Sequence, residues 1–311
     1  MTGFIVKQPG LLTLIQDLGR FGAHNLGLTN GGPLDAQAFA WANRLLGNSA
    51  NASALEISFG GLSLECGIDT AIVVTGAELP IKVNGETIAE WQTHPVKPGD
   101  FIELGYTTRG TRAYLAVAGG FAIPASFGSS ATVVREKIGG LNGDKLEEND
   151  QLPCASQTLQ QNYYLADDDR PQYAERAILR VVPGYQQSTF DPVERHRFFS
   201  SQYRVTDRSD RMGFRLEGKA IKSDINSMLS EGICHGAVQI PADGQPIVLM
   251  NDRQTIGGYP KIGSVIALDT AKLAQLNPGS TISFEPISAE YAHNLHWLAK
   301  SRFDRTQPLK C

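Results

Sequence analysis

The chain has no long apolar run and few cysteines, and each scarcity excludes a class of protein. No stretch approaches the roughly 18 consecutive apolar residues that a membrane span requires. Met1–Lys7 lacks the basic segment and apolar run of a secretory signal. The four cysteines lie far apart without C-x-x-C spacing, and a chain of 311 residues does not need disulfides. We therefore expect a soluble, cytoplasmic protein with reduced thiols and no membrane partner.

An excess of positive charge is also missing. The formal net charge is −4, so the chain lacks the basic footprint that nucleic-acid-binding proteins carry. The spacing of cysteine and histidine matches no zinc site and no nucleophile motif is found, so we expect no metal. The chain does have 32 glycines, well above average usage of roughly 7%. That abundance is typical of a turn-rich β protein.

Many short strand patterns at close spacing predict a mainly β fold with few helices, arranged as a barrel or a sandwich. The dipeptide Asn84-Gly85 between two such patterns predicts a hairpin. Helices are predicted after the capping residues Asp35 and Asp191 and over residues 288–300, and a strand is predicted over 264–268. The predicted divisions are an N-terminal subdomain over residues 1–154, a linker over 155–175, a C-terminal subdomain over 176–287, and a closing helix and tail over 288–311.

The first group of candidate substrate-binding residues lies near the start of the chain and comprises Gln16, Asp17, Arg20 and Asp35. An aspartate three residues from an arginine on a glycine loop can orient the guanidinium toward a carboxylate or a carbonyl. A salt bridge that merely closes the loop is the alternative. On spacing alone, that structural role is the stronger interpretation.

The second group lies on both sides of a predicted hairpin over residues 237–250 with its turn at Asp243-Gly244, and most of its members follow the hairpin. Polar side chains stand immediately before a pair of glycines, where backbone amides and side chains can converge on one small ligand. An ordinary hairpin with a satisfied polar turn is the alternative. The catalytic candidates are Asp252, Gln254 and Thr255, and the binding candidates are Glu231, Gly257, Gly258 and Tyr259.

A third group is arginine-rich. Arg208, Arg211 and Arg215 lie within eight residues and can hold a carboxylate or phosphate by paired hydrogen bonds, although a solvated charged turn has the same composition. Residues 213–220 match the spacing of a phosphate-binding loop, but Ala220 stands where such loops need serine or threonine. We interpret 213–220 as a strand and not as a nucleotide site.

Several longer stretches resemble the allophanate hydrolase subunit 2 family, also called the KipA family. They read PGLLTLIQDLGR at 9–20, GPLD at 32–35, ANRLLGN at 42–48, YLAVAGG at 114–120 and SDRMGFRL at 209–216. The resemblance runs from about residue 4 to 287, with departures over 133–136 and 141–145. The family includes the C subunit of the prokaryotic ATP-dependent 5-oxoprolinase and the carboxyltransferase domain of urea carboxylase.

The resemblance implies two cyclophilin-like β-barrel subdomains in tandem, with an active cleft between them. It also implies a KipI-like partner of the allophanate hydrolase subunit 1 type and, for 5-oxoprolinase, a LamB/YcsF-like subunit. The leading expectation is the C subunit of a 5-oxoprolinase complex that uses ATP, at a site not assignable to this chain, to open the lactam of 5-oxoproline. The alternatives are a biotin-dependent carboxyltransferase of the urea and allophanate pathway, and a non-catalytic regulator paired with a KipI-like kinase inhibitor.

Within the leading expectation, the resemblance gives roles to residues of the second and third groups. Arg211 or Arg215 would hold the carboxylate of a small amide substrate. The amide itself would be polarised by Asp252, Gln254 and Thr255, as in an oxyanion hole.

Overall fold

The computed structural model describes residues 3–225 and 228–311, and the chain divides into two compact units. The first unit comprises the residues up to Ala23, Asn30–Tyr173 and Thr306–Cys311, and the second comprises His24–Thr29 and Ala174–Arg305. Within the described ranges, no helix is both long enough and apolar enough to cross a membrane.

The first unit is built from two antiparallel sheets. A six-stranded sheet has the order β11-β1-β4-β9-β6-β7, and a five-stranded sheet has the order β2-β3-β10-β5-β8. Buried side chains of both sheets, such as Phe4 and Leu64 from one and Leu55 and Leu115 from the other, form one apolar core. The strands are β1 (Gly3–Pro9), β2 (Leu12–Gln16), β3 (Ala54–Ser58), β4 (Leu62–Cys66), β5 (Thr70–Glu78), β6 (Ile81–Val83), β7 (Glu86–Ile88), β8 (His94–Val96), β9 (Phe101–Leu104), β10 (Arg109–Val117), β11 (Gln151–Pro153) and β12 (Tyr163–Tyr164).

Local sequence signals of the first unit form the structures that they predict. The Asn84-Gly85 turn joins β6 to β7, and both of its residues have positive φ, 52° and 84°, as a tight hairpin turn requires. Helix α1 (Ala36–Leu45) begins after Asp35, whose Oδ1 accepts the backbone N–H groups of Gln37 and Ala38. These predictions of a hairpin and a capped helix are confirmed.

The second unit is a closed seven-stranded barrel with the order β13-β20-β17-β18-β15-β14-β21. The barrel closes through the parallel pair β13 and β21, whereas its other neighbours are antiparallel. Phe198 stacks on Phe284 with ring centroids 4.3 Å apart. The strands of this unit are β13 (Arg176–Pro183), β14 (Gln202–Val205), β15 (Gly213–Gly218), β16 (Glu231–Gly232), β17 (Ala237–Gln239), β18 (Ile247–Leu249), β19 (Ile256–Gly257), β20 (Lys261–Val265) and β21 (Thr281–Pro286).

The second unit confirms two sequence predictions. Strands β17 and β18 pair as a hairpin around a turn in which Gly244 has φ of +74°. Residues 213–218 form strand β15, as interpreted in place of a phosphate-binding loop. The fold as a whole is mainly β with few helices, which the sequence also predicts.

The helices of the second unit differ from the prediction in part. Helix α2 (Pro192–Ser200) begins after Asp191 as expected. The strand predicted over 264–268 ends at Val265, and helix α3 (Ala267–Ala274) follows it. The start of α3 was missed because its N-cap residue, Ile266, has no side-chain group that could accept a hydrogen bond. Helix α4 (Ala289–Arg305) extends beyond residue 300 and buries none of its residues.

Residues 155–173, within the stretch predicted as a linker, pack with the first unit. Their strand β12 pairs with β22 (Leu309–Lys310) near the end of the chain, and Leu165 is fully buried. The low apolar content of this stretch concealed its packing, because two-residue strands show no periodicity.

Asp269 on α3 provides a test of what anchors that helix. Its fully buried carboxylate accepts hydrogen bonds from Nε and Nη2 of Arg180 at 2.7 and 2.6 Å. It also forms an ion pair with Nζ of Lys272 at 2.8 Å. Burial is the largest single influence and opposes ionisation, but the hydrogen bonds from Arg180 and Lys272 together outweigh it and hold the pKa of the Asp269 carboxyl below its ordinary value.

We predict that Asp269→Asn lowers the free energy of unfolding by about 3 kcal/mol, because it removes the buried negative charge that is paired with the partly buried guanidinium of Arg180. Lys272→Ala is the matched control, since it removes the half-exposed partner and costs at most about 0.5 kcal/mol. Urea unfolding of the three proteins measures both effects. Equal losses in the two variants would contradict the assignment of Arg180 as the main partner.

Candidate active site

A row of side chains on the outer face of the barrel forms the base of the candidate site. Arg215 on β15 is opposite Ile247 on β18, which is in turn opposite Gln239 on β17. The sequence neighbours Phe214 and Val238 are buried in the barrel interior. Because successive residues of a strand point to opposite faces, the row points outward. Arg215 is exposed, whereas Gln239 is only 2% exposed because other segments of the same unit cover it.

The covering segments form a small two-stranded ribbon in which Glu231 of β16 is opposite Gly257 of β19. A Cβ added to Gly257 would lie 2.4 Å from Cδ1 of Ile233, 2.9 Å from Nε2 of Gln239 and 3.2 Å from Nε2 of Gln254. Only glycine fits at this position without displacing its neighbours. The side chains of Ile233, Gln239 and Gln254 therefore pack directly against the backbone of Gly257.

Glu231 attaches this ribbon to the barrel. Its Oε1 accepts hydrogen bonds from Nζ of Lys261 and, at 2.5 Å, from Nε2 of Gln186, and its Oε2 accepts the hydroxyl of Tyr185. The backbone N–H of Lys261 donates to Oε1 of Gln186 at 2.9 Å. We name the six residues Tyr185, Gln186, Glu231, Gln239, Gln254 and Lys261 around Gly257 the Gly257 cluster.

The contacts within the Gly257 cluster set its protonation states. The hydrogen bond from Lys261, followed by that from Tyr185, lowers the pKa of the Glu231 carboxyl. The same bond to Glu231 raises the pKa of the Tyr185 hydroxyl. Glu231 is consequently ionised and Tyr185 is protonated at neutral pH. An ionised, fully engaged carboxylate is a weak general base but a firm anchor for the residues around it.

Two predicted site residues, Arg211 and Asp252, meet each other. Nε and Nη2 of Arg211 each donate to one carboxylate oxygen of Asp252 at 2.9 Å, and both side chains are buried. The backbone N–H of Asp252 also donates to the carbonyl of Arg211. This paired arrangement fixes the turn that leads into Gln254. The predicted polarising role of Asp252 and the predicted substrate grip of Arg211 are not what these contacts support, because each group already engages the other.

The remaining candidates of this stretch hold the ribbon in place. The carbonyl of Thr255 accepts the backbone N–H of Ile233, and the carbonyl of Gly258 accepts that of Met228. A Cβ on Gly258 would lie 2.8 Å from the carbonyl oxygen of Met228, so glycine is required there as well. Tyr259, two residues after β19, is exposed to solvent.

In the first unit, Asp17 and Arg20 both hold one turn. The carboxylate of Asp17 accepts the hydroxyl of Ser129 at 2.5 Å and the backbone N–H of Ser130 at 2.7 Å. The fully buried guanidinium of Arg20 donates to the carbonyls of Ser126, Ser129 and Ala131. These contacts correspond to the structural alternative, in which the residues close a loop, but Asp17 and Arg20 do so through backbone groups and serine hydroxyls and not through a salt bridge with each other.

That turn has an unusual conformation at its tip. Phe127 is exposed and has φ of 51°, a left-handed conformation that is costly for an aromatic residue. The buried contacts of Asp17 and Arg20 on both sides of it supply the constraint that maintains such strain.

Gln16 and Asp35 also serve the fold of the first unit. Gln16 is fully buried, and both polar atoms of its side chain are hydrogen-bonded. Its Nε2 donates to the carbonyl of Thr132, and its Oε1 accepts the backbone N–H of Gly32. Asp35 caps α1 with one carboxylate oxygen and accepts the hydroxyl of Tyr173 with the other. Their contacts support positioning of the chain and not direct binding.

Four members of the Gly257 cluster were missed by sequence reasoning: Tyr185, Gln186, Gln239 and Lys261. A usable signal existed for two of them. Gln239 is the one polar residue of β17 and Lys261 the one charged residue of β20, and a buried polar side chain needs a partner. Tyr185 and Gln186 follow the turn at Pro183-Gly184 and carry no comparable signal.

Comparisons with known proteins agree with this architecture. The model of the family described as carboxyltransferase domain, subdomain A and B, matches residues 26–286. The 5-oxoprolinase C subunit of Escherichia coli (strain K12) is 38% identical over 292 residues, which cover 92% of each chain. The protein of the same name from Haemophilus influenzae is 36% identical over 282 residues, or 90% of each chain. The crystal structure of K. lactis urea amidolyase superposes with a TM-score of 0.91 at 28% identity, covering 98% of this chain and 20% of that one.

His235, two residues before β17, gives the second unit a predictable response to acid. Burial, reinforced by the nearby charge of Arg253, lowers the pKa of the His235 imidazole to about 4. The unfolded chain binds a proton near pH 6.5, so acidification favours unfolding over the interval between these two values.

We predict that the wild-type protein loses about 3 kcal/mol of stability through His235 as the pH falls from about 7 to about 4. In His235→Gln this part of the loss disappears, whereas the loss due to carboxylates remains. Urea unfolding at several pH values, with the two proteins compared at each, isolates the difference. Parallel pH profiles would show that the imidazole titrates normally in the folded state.

Proposed function

Proceeding from the fact that this chain belongs to the carboxyltransferase domain family, we propose that it is the C subunit of an ATP-dependent 5-oxoprolinase complex. The complex opens the lactam amide of 5-oxoproline to give glutamate. The observation that carries this proposal is the match to the E. coli 5-oxoprolinase C subunit over 92% of both chains. The chain spans only 20% of the structurally similar urea amidolyase.

The outer face of the barrel suits the two polar ends of 5-oxoproline. Gln254, which is half-buried beside Gln239, offers a neutral N–H donor that suits the lactam carbonyl. Arg215 is exposed two strands away from Gln239 in the same row, roughly 10 Å between backbones at the usual strand spacing. A flexible arginine can close that distance around a small substrate. We therefore assign the substrate carboxylate to Arg215, and we give the buried pair of Arg211 and Asp252 a positioning role.

The proposal includes partners and a nucleotide. The name of the E. coli relative describes one subunit of an enzyme, and we propose assembly with a KipI-like protein and a LamB/YcsF-like protein in the cytoplasm. ATP would be consumed by the assembled complex, and no residue of this chain is assigned to it.

Carboxyl transfer with biotin is the second candidate function. The family description and the TM-score of 0.91 to urea amidolyase favour it. The amide donor of Gln254 fits the ureido carbonyl of biotin as well as a lactam carbonyl, since both are neutral acceptors. The reaction itself must therefore separate the two functions.

We expect the complex of this chain with its two proposed partners to release glutamate from 5-oxoproline only when ATP is present. Coupled detection of glutamate, with and without this chain, measures the dependence. Insensitivity to avidin would support the first function, because avidin sequesters biotin. Glutamate release that persists without this chain, or urea carboxylation that avidin abolishes, would contradict it.

Within the active complex, Arg215→Ala should raise the KM for 5-oxoproline at least tenfold, because a charge-assisted hydrogen bond to the substrate carboxylate is lost. We expect Arg208→Ala, which removes another exposed arginine of the same stretch, to leave KM within twofold. Steady-state kinetics of both variants provide the comparison. Equal effects of the two substitutions would point to general electrostatics and remove the specific role of Arg215.

A further inference from the structure

We propose that two adjacent loops of the first unit, with the exposed side chains of Leu18, Phe21 and Phe127, form a docking surface for another polypeptide that offers an uncharged, apolar pocket. We name these three side chains the Phe127 surface. The identification of the polypeptide with the KipI-like partner rests on the proposed function. The existence of the surface rests on the conformation, exposure and charge of the two loops.

The first observation is an aromatic residue in a turn that does not favour one. Ser126 and Ser129 exchange backbone hydrogen bonds at 2.8 and 3.3 Å across Phe127-Gly128, whose φ values are 51° and 81°. The turn at Asn84-Gly85 has nearly the same values, 52° and 84°. Asparagine is a preferred residue for such a position, whereas a bulky side chain is costly there. Local conformation therefore does not explain the phenylalanine.

Packing inside the protein does not explain it either. The side chain of Phe127 is 60% exposed, so most of the ring contributes nothing to the core of the first unit. The buried contacts of Asp17 and Arg20 nevertheless hold the turn in place. An aromatic side chain that is presented in a fixed position loses little entropy when it enters a pocket of a partner. A contact outside this chain accounts for both the strain and the exposure.

The second observation is a further exposed phenylalanine on the loop that is tied to this turn. Nε of Arg20 donates to the carbonyl of Ser126 at 2.9 Å. Phe21 follows Arg20 and Phe127 follows Ser126, so one buried guanidinium holds together the two loops that carry these rings. Phe21 is 72% exposed, and Leu18 on the same loop is 42% exposed. Single exposed apolar residues are common, but a group of them on adjacent loops is typical of an interaction site.

The third observation is the lack of charge around these side chains. Residues 18–23 and 121–134 contain one charged residue, Arg20, which is fully buried, although 19% of the whole chain is charged. A nucleic acid or a charged peptide would need charged groups on these loops. The centres of protein interfaces are instead depleted of charge and enriched in aromatic residues. The occupant is therefore a polypeptide with a neutral, apolar pocket.

The test compares Phe127→Asn with Tyr106→Asn. The first change gives the turn the residues of the Asn84-Gly85 turn, so the melting temperature should equal or exceed that of the wild type. The dissociation constant for the purified KipI-like protein, measured by calorimetric titration, should rise at least about tenfold because an aromatic anchor is lost. Tyr106 is 68% exposed on the same unit but lies between the charged residues Glu103 and Arg109. Tyr106→Asn should leave the dissociation constant within twofold.

Phe21→Asp tests the other loop. It introduces a charge where the surface has none, so the dissociation constant should again rise at least about tenfold. A dissociation constant within twofold of the wild type for either Phe127→Asn or Phe21→Asp would overturn the proposed surface. So would weaker binding by Phe127→Asn that is accompanied by a lower melting temperature, because the ring would then serve the fold.

The titration contains neither ATP nor 5-oxoproline, which keeps this inference separate from the proposed function. Binding that depends on Phe127 would support the docking surface even if the complex releases no glutamate and the proposed function fails. If the wild type does not bind the KipI-like protein, the docking proposal is overturned, whereas glutamate release by the complex would still support the function. Sedimentation of the wild type as a dimer that Phe127→Asn dissociates would also overturn the proposal, since the occupant would be a second copy of this chain.

Discussion

The hydrogen bonds that Lys261 and Gln186 donate to Glu231 attach the β16–β19 ribbon to the outer wall of the barrel. This attachment covers Gln239, which would otherwise be exposed on the outer face of β17, and brings it to Gly257. Because the carboxylate is held by an ammonium, an amide and a phenol together, it stays ionised and the ribbon stays in register. The geometry of the candidate site depends on this one carboxylate.

Buried charged residues of the two units position the chain, whereas an exposed one is available to bind a ligand. Arg20, Asp17, Arg211 and Asp252 are buried and engage backbone groups or one another. A buried charge must be satisfied within the protein, so such residues position the chain before any substrate arrives. Arg215, exposed at the end of the outer row, can exchange water for a ligand carboxylate at little cost. Burial therefore separates the positioning arginines from the binding one.

Sequence reasoning succeeded where a signal was local. The turn at Asn84-Gly85, the cap at Asp35 and the strand at residues 213–218 follow from the conformational preferences of a few neighbouring residues. It was incomplete where contacts connect distant segments. The start of α3 had no capping side chain, and the partner of Asp17 is a turn more than 100 residues away. Arg211 and Arg215 look equivalent in sequence, but Arg211 precedes β15 and is buried against Asp252, whereas Arg215 lies exposed on the strand.

The sequence by itself determined the mainly β architecture and the family, and it predicted the stretch over residues 230–260 that contributes Glu231 and Gln254 to the candidate site. Periodicity, glycine turns and motif content are all properties of short segments, and they persist without knowledge of the fold. Only the tertiary structure decided which polar residues of that stretch are satisfied and which are available for a ligand. Hydrogen bonding and burial depend on partners from β13, β17, β18 and β20 and the segments between them. That is why Gln239 and Lys261 emerged as site residues only once the β16–β19 ribbon packed against the barrel.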